Sequence, residues 1–213
     1  MFVGERMSHP VITVSPETPV HDALVMFKKE HIRRAPVVKD GKMIGIVSEG
    51  DLLNASPSPV TSLSVWEMNY LMSKVTVKRV MSKKVRTIDV NTPIEEAARI
   101  MADSKIGGMP VMRSGKLVGM ITETDLFKIF FELMGARTKA LRVTALVDEK
   151  PGQLAKVTKA IADAGGNFLS FGMFAGPDTS SRIITFKVDG LKKEAVTKAL
   201  TNVVKKFWDI RQS

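Results

Sequence analysis

Two heptapeptides carry residue types suited to holding a small polar ligand: Gly45-Ile46-Val47-Ser48-Glu49-Gly50-Asp51 and Gly119-Met120-Ile121-Thr122-Glu123-Thr124-Asp125. In each, a small hydroxyl ends an apolar run, and a carboxylate follows three residues later where a helix is predicted to open. The first turn of a helix presents unsatisfied N–H groups and the positive end of its dipole, both suited to phosphate. A Ser or Thr hydroxyl adds a hydrogen bond to a phosphate oxygen. An Asp carboxylate accepts from two adjacent sugar hydroxyls, as an acidic residue does for ribose in dinucleotide folds. The glycine lets a flat base approach the backbone. The same spacing also describes an ordinary N-cap, in which Ser or Asp only satisfies orphan amides. A single copy favours that plainer reading. A second copy in the same surroundings favours the ligand.

The surroundings are indeed the same. Sliding the sequence by 74 residues lays 7–53 over 81–127 without a gap, with 16 of 47 positions identical, among them Thr13/Thr87, Pro19/Pro93, Pro36/Pro110, Gly45/Gly119 and Asp51/Asp125. Each copy reads as short strand, helix, hairpin, helix. Thr92-Pro93-Ile94-Glu95 has the form of a capping box with proline at the first helical position, and Thr18-Pro19 starts the equivalent helix. Val20, Ala23, Leu24 and Phe27 follow at helical spacing. The hairpins turn at Asp40-Gly41 and Ser114-Gly115. About 50 residues make a poor core alone, so the two copies are expected to pack together.

Residues 54–63 read as loop, and Ser64-Val65-Trp66-Glu67 as a further capping box whose helix continues from Met68 to Ser73. Beyond the repeats, 141–148 reads as a strand and Pro151-Gly152 as the opening of a helix that closes at Gly165-Gly166. Strands follow at 167–175 and 181–188, then a helix at 192–204 and a strand at 207–211. That order, βαββαβ, is a ferredoxin-like plan.

At this point two resemblances are plain. Residues 7–135, with the duplicated Gly-h-h-Ser/Thr-x-x-Asp signature (h apolar), resemble a pair of CBS domains, a Bateman module. The resemblance implies that Asp51 and Asp125 hold ribose hydroxyls and that Ser48 and Thr122 meet phosphate. It also brings in Thr13 and Thr87 before the first core strand, and the backbone at Ala35-Pro36 and Met109-Pro110 as lining for the base. Arg33 and Arg34 align with Gly107 and Gly108, so the sites are expected to differ; the arginines are phosphate contacts or simply solvated. The second resemblance is to the ACT domain, carried by Asp148-Glu149-Lys150-Pro151-Gly152-Gln153-Leu154 and Gly165-Gly166-Asn167, with one residue more before Pro-Gly than the family pattern has. It implies Gly152 and Asn167 as the place where an amino acid docks between paired domains, although many ACT domains only dimerise. The whole arrangement looks like the acetoin-utilisation proteins of AcuB type.

The expected fold class is thus α+β: CBS repeat 1 over residues 1–60, a connecting helix and linker over 61–80, CBS repeat 2 over 81–136, and an ACT domain over 137–213. The expected function is a non-enzymatic sensor of AMP, ADP, ATP or S-adenosylmethionine, acting as a homodimer on a regulated protein the sequence does not name.

Composition and motifs exclude more than they assign. Cysteine is absent, which removes disulfides and thiolate chemistry and fits a cytoplasmic protein. No apolar run approaches the length of a bilayer span, and the first residues lack a secretory h-region, so no membrane association is expected. His9, His21 and His31 have no metal-ligand spacing, and neither a Gly-x-Ser-x-Gly elbow nor a Walker loop occurs. Hence no metal, no catalytic cofactor and no catalytic residues are expected. The net charge is +10, and residues 136–213 hold fourteen Lys and Arg against seven Asp and Glu. A basic domain attracts anions, which keeps a nucleic-acid-binding regulator as the second reading; without a helix-turn-helix or interleaved aromatic and basic patch it ranks below the first. A ligand-free dimerisation scaffold is the third.

Overall fold

The computed structural model describes residues 1–55, 64, 66, 67, 70 and 74–213. These form two compact units, Met1–Leu126 and Phe127–Ser213. The first contains α1 (Val3–Arg6), α2 (Val20–Lys29), β1 (Arg34–Lys39), β2 (Lys42–Ser48) and α3 (Glu49–Asn54). These are followed by α4 (Val77–Val80), β3 (Ile88–Asp89), α5 (Ile94–Ser104), β4 (Gly108–Arg113), β5 (Lys116–Thr122) and the start of α6 (Glu123–Leu133).

The duplication holds down to single dihedrals. Asp40 and Gly41 have φ of 50° and 73°, and Ser114 and Gly115 have 49° and 77°. Positive φ at both central residues defines the type I′ turn, whose twist matches that of the flanking strands. Both hairpins slip register at the same place, between Val37 and Val38 and between Val111 and Met112. Val14 bridges Val37 in parallel, as Ile88 does Val111. His31 and Lys105 share a left-handed conformation just past α2 and at the end of α5.

Each repeat gives its opening helix to the other. The amides of Val3 and Gly4 donate to the carbonyls of Thr92 and Val90, and those of Val77 and Lys78 donate to Thr18 and Pro16. Val3 is fully buried in the core of repeat 2 with Ile88, Val90, Ala97, Met101, Met109, Val111 and Ile121. Val77 is fully buried in the core of repeat 1 with Val14, Val20, Ala23, Phe27, Ala35, Val37, Val47 and Leu52. The strands follow suit: Ser8 bridges Met120, and Ser82 bridges Ile46.

This exchange also replaces the predicted Thr92–Glu95 capping box. The Thr92 carbonyl receives Val3, Pro93 stands at the N-cap, and no side-chain cap bond forms. Pro19 occupies the same place before α2. The Ser64–Glu67 capping box does form: Ser64 N and Oγ donate to Glu67 Oε2 at 2.8 and 2.7 Å, and Glu67 N donates to Ser64 Oγ at 3.3 Å. Trp66 and Tyr70 are exposed. Asn54 ends α3 rather than opening a loop. Residues 56–63, and Met68, Asn69 and 71–73 of the expected connecting helix, lie outside the described residues.

The second unit holds β6 (Leu141–Asp148), α7 (Gln153–Asp163), β7 (Asn167–Ala175), β8 (Ser181–Asp189), α8 (Lys193–Leu200) and β9 (Lys206–Gln212). Its four strands are antiparallel in the order β7-β8-β6-β9. Alternate residues of β6 and β8 (Leu141, Val143, Ala145, Val147; Ile184, Phe186, Val188) meet Val157 and Ile161 of α7 and Val196 and Leu200 of α8 in one core. α8 ends at Leu200, short of the predicted 204, and the Leu200 carbonyl receives the amides of both Val203 and Val204. Just before Pro151-Gly152, Lys150 Nζ folds onto Asp148 Oδ2 at 2.5 Å.

Candidate functional site

The two aspartates are set by identical local locks. Asp51 Oδ2 accepts from Ser48 N at 2.8 Å and Ser48 Oγ at 2.7 Å, while Asp51 N donates to Ser48 Oγ at 3.2 Å. Asp125 Oδ2 accepts from Thr122 N at 2.9 Å and Thr122 Oγ1 at 2.7 Å, and Asp125 N donates to Thr122 Oγ1 at 3.4 Å. Asp125 is the more enclosed, at 6% exposed, and its Oδ1 lies 3.5 Å from Ser8 Oγ of the crossing segment. The N-cap reading holds in both copies, and the capping bond fixes the carboxylate.

The lock leaves less for phosphate than the sequence implied. Each hydroxyl has one hydrogen, and it is on the aspartate. Two first-turn amides are also taken. Glu49 N donates to the Arg33 carbonyl at 2.8 Å and Glu123 N to that of Gly107 at 3.2 Å, while the Asp51 and Asp125 amides cap onto the hydroxyls. A direct contact of Ser48 or Thr122 with phosphate would need that hydrogen to turn away from the aspartate. A β-carbon on Gly45 would lie 2.7 Å from Met81 Sδ and 3.0 Å from the Ser82 carbonyl, and one on Gly119 would run into Met7. The exchanged segment packs closely against both glycines.

The remaining expected residues fall around the same strands. Ala35 and Pro36 on β1 pair with Val47 and Ile46, and Met109 and Pro110 on β4 pair with Ile121 and Met120. Ala35 and Met109 are fully buried. Thr13 and Thr87 are exposed, one residue before Val14 and Ile88.

Arg33 and Arg34 behave as the sequence does not foretell: they cross to the other repeat. Arg33 Nη2 donates to Thr124 Oγ1 at 3.5 Å. Arg34 lies against Gly107 and Gly108 and beside Glu123; a β-carbon on Gly107 would collide with its guanidinium and lie 2.9 Å from Glu123 Oε2. Burial lowers the Arg34 pKa, opposed by the charge of Glu123, with Arg33 lowering it further and Asp51 raising it. Ser8, Glu123 and Thr124 are the neighbours sequence reasoning missed.

In the second unit, Gly152 takes φ 80° at the N-cap of α7 and lines a pocket of about 120 Å³ with Asp148, Lys150, Leu154, Met173 and Arg182. Asn167 opens β7 opposite Asp189 and does not line that pocket. The structure does not bring the two expected ligand residues of this unit together. Among the described residues no group of three or more His, Cys, Asp or Glu could hold a metal ion, and no helix is long and apolar enough to cross a membrane.

Residues 3–58 and 77–132 match the model of the CBS domain, and these spans start at the exchanged helices α1 and α4. A CBS domain-containing protein of Dictyostelium discoideum is 30% identical over 136 residues, covering 63% of this chain and 94% of its own length. Inosine-5'-monophosphate dehydrogenase of Thermoplasma acidophilum is 34% identical over 54% of this chain but only 21% of the enzyme. Among solved structures, the CBS domain pair of protein MJ0100 in complex with 5'-methylthioadenosine and S-adenosyl-L-methionine superposes with TM-score 0.52 at 25% identity, covering 65% of this chain and 98% of that one. CBSX2 in complex with AMP gives TM-score 0.50 at 28% identity, covering 61% and 96%. A putative acetoin utilization protein (AcuB) from Vibrio cholerae gives 0.53 at 28% identity, covering 64% and 95%. With its hairpins, crossing helices and locked aspartates all present twice, the chain belongs to the CBS-domain family and carries the domain as a tandem pair.

Proposed function

We propose that this chain is a regulatory protein whose CBS pair binds adenine nucleotides or related adenosine compounds, with Asp51 and Asp125 each accepting from ribose. The observation that carries the reading is the duplicated lock. Ser48 and Thr122 occupy Oδ2 of each aspartate and hold its rotamer, and Asp51 Oδ1 is left to accept from a sugar hydroxyl. Asp125 Oδ1 reaches the same chemistry by exchanging its long contact with Ser8. The backbone of Ala35-Pro36 and Met109-Pro110, with Thr13 and Thr87, lines the base. Adenosine ligands in the neighbouring structures support this choice.

The same proposal treats residues 137–213 as an ACT domain, supported by the order β7-β8-β6-β9 and the two helices packed on one core. That domain pairs two copies of the chain, and Gly152 belongs to its ligand pocket. The same reading groups the protein with the acetoin-utilisation proteins of AcuB type, supported by the likeness to the putative AcuB from Vibrio cholerae.

Thermal denaturation with AMP, ADP, ATP and S-adenosylmethionine tests the reading. A ligand at 100 times its Kd raises stability by about 2.7 kcal/mol. Asp51→Ala and Asp125→Ala are each expected to remove part of the shift. Calorimetry showing no heat with any of the four would overturn the proposal.

A further inference from the structure

We propose that the two sites of the CBS pair take different chemical classes of adenosine ligand: a phosphorylated one beside Thr122 and Asp125, an unphosphorylated one beside Ser48 and Asp51, with Arg33 and Arg34 as the discriminating cations. The inference rests on the nucleotide reading above and divides it between the sites.

The hydroxyls and two first-turn amides at each site are already committed. A phosphate therefore needs a cation to receive it. The repeats differ in that supply. Repeat 1 sends Arg33 and Arg34 across to Thr124 and Glu123, at the opening of α6. The positions that would return the favour are Gly107 and Gly108, which carry no side chain.

The asymmetry is steric as well as electrostatic. A β-carbon on Gly107 would meet the Arg34 guanidinium. One on Gly108 would lie 2.9 Å from the Ile121 carbonyl and 3.3 Å from Arg34 Cδ. The glycines leave the space that Arg34 fills, and a side chain at Gly108 would press on the Ile121 carbonyl; the Arg34 guanidinium is coupled more strongly to Glu123, beside the Thr122–Asp125 site, than to Asp51. Arg33 stands there at Thr124 and Arg34 beside Glu123, whereas the matching positions of repeat 2, Gly107 and Gly108, bring no cation to the Ser48–Asp51 site. The partial burial of Arg34 strengthens the effect, because a half-desolvated guanidinium is attracted more strongly to an anion than a hydrated one. Lys83 and Lys84, which follow the Ser82 bridge to β2, are exposed.

Calorimetry with AMP and with adenosine, which differ only by the phosphate, tests this on the full chain. Arg33→Gln/Arg34→Gln is expected to weaken AMP about 10- to 100-fold, the worth of one or two charge-assisted hydrogen bonds, and to leave adenosine unchanged. Asp125→Ala is expected to abolish the AMP site while adenosine still binds, and Arg34→Lys to keep part of the preference. Arg33→Gln alone, at an exposed position, gives the same direction if the double variant folds poorly. Equal weakening of AMP and adenosine would overturn the assignment and make Arg34 an internal strut. AMP binding that disappears with Asp51→Ala instead would overturn it in favour of Lys83 and Lys84. Absence of binding by both compounds to the unaltered protein would overturn the nucleotide reading, and this inference with it.

Discussion

Val3→Ala is expected to loosen repeat 2 rather than the repeat in whose sequence Val3 stands. The side chain is fully buried against Ile88, Val90, Ala97, Met109 and Val111. Removing two methyl groups costs about 1.6 kcal/mol in transfer free energy at about 0.8 kcal/mol each. A residual cavity of about 40 Å³ adds about 1 kcal/mol at roughly 24 cal/mol per Å³. The sum, about 2.5 kcal/mol, corresponds to roughly 60-fold faster amide exchange through openings that involve this contact. Hydrogen exchange under native conditions reads the location directly. Protection should fall in β4 and β5 (108–113 and 116–122), and Val77→Ala should do the same to β1 and β2 (34–39 and 42–48). Faster exchange after Val3→Ala in 34–48, with 108–122 unaffected, would refute the reasoning from exchanged helices.

Lys150 and Lys205 hydrogen-bond Asp148 and hold its pKa down from 3.8 to about 2. A carboxyl depressed by folding contributes stability above its unfolded value and loses it as pH falls from about 4 through 2. Urea midpoints of the unaltered protein should therefore fall more steeply over that interval than those of Asp148→Asn, and parallel curves would contradict this. Lys105 ends α5 at φ 52°, ψ 43°. Lys105→Gly relieves the left-handed penalty but adds chain entropy, for a net gain of about 0.5 kcal/mol. A lowered Tm would count against it.

Local signals carried most of the architecture. Asp-Gly and Ser-Gly announced two type I′ hairpins, and the strands of the second unit appeared within about two residues of their predicted ends, because alternation on β6 and β8 is enforced by a single core. What escaped was long-range. A four-residue helix such as Val3-Gly4-Glu5-Arg6 has no periodicity to read, and its partners lie some 90 residues away. The 74-residue offset does place Val3 on Val77, so extending the repeat toward the N-terminus would have hinted at paired helices. At the site, the Ser-x-x-Asp lock was legible as a cap, since capping is a contact between neighbours in sequence. The reach of Arg33 and Arg34 into the opposite repeat was not, because sequence records that the repeats differ there but not which site the difference serves.

The mutual bond between hydroxyl and carboxylate at Ser48–Asp51 and Thr122–Asp125 has a kinetic consequence. Each acid surrenders its torsional freedom when the helix forms, long before any sugar arrives. On the proposed ribose contact, docking would then cost the two carboxylates little further ordering, and a ligand would meet groups already in position. Selectivity expressed through such fixtures shows itself chiefly in how long a compound stays, with arrival rates similar for close chemical relatives.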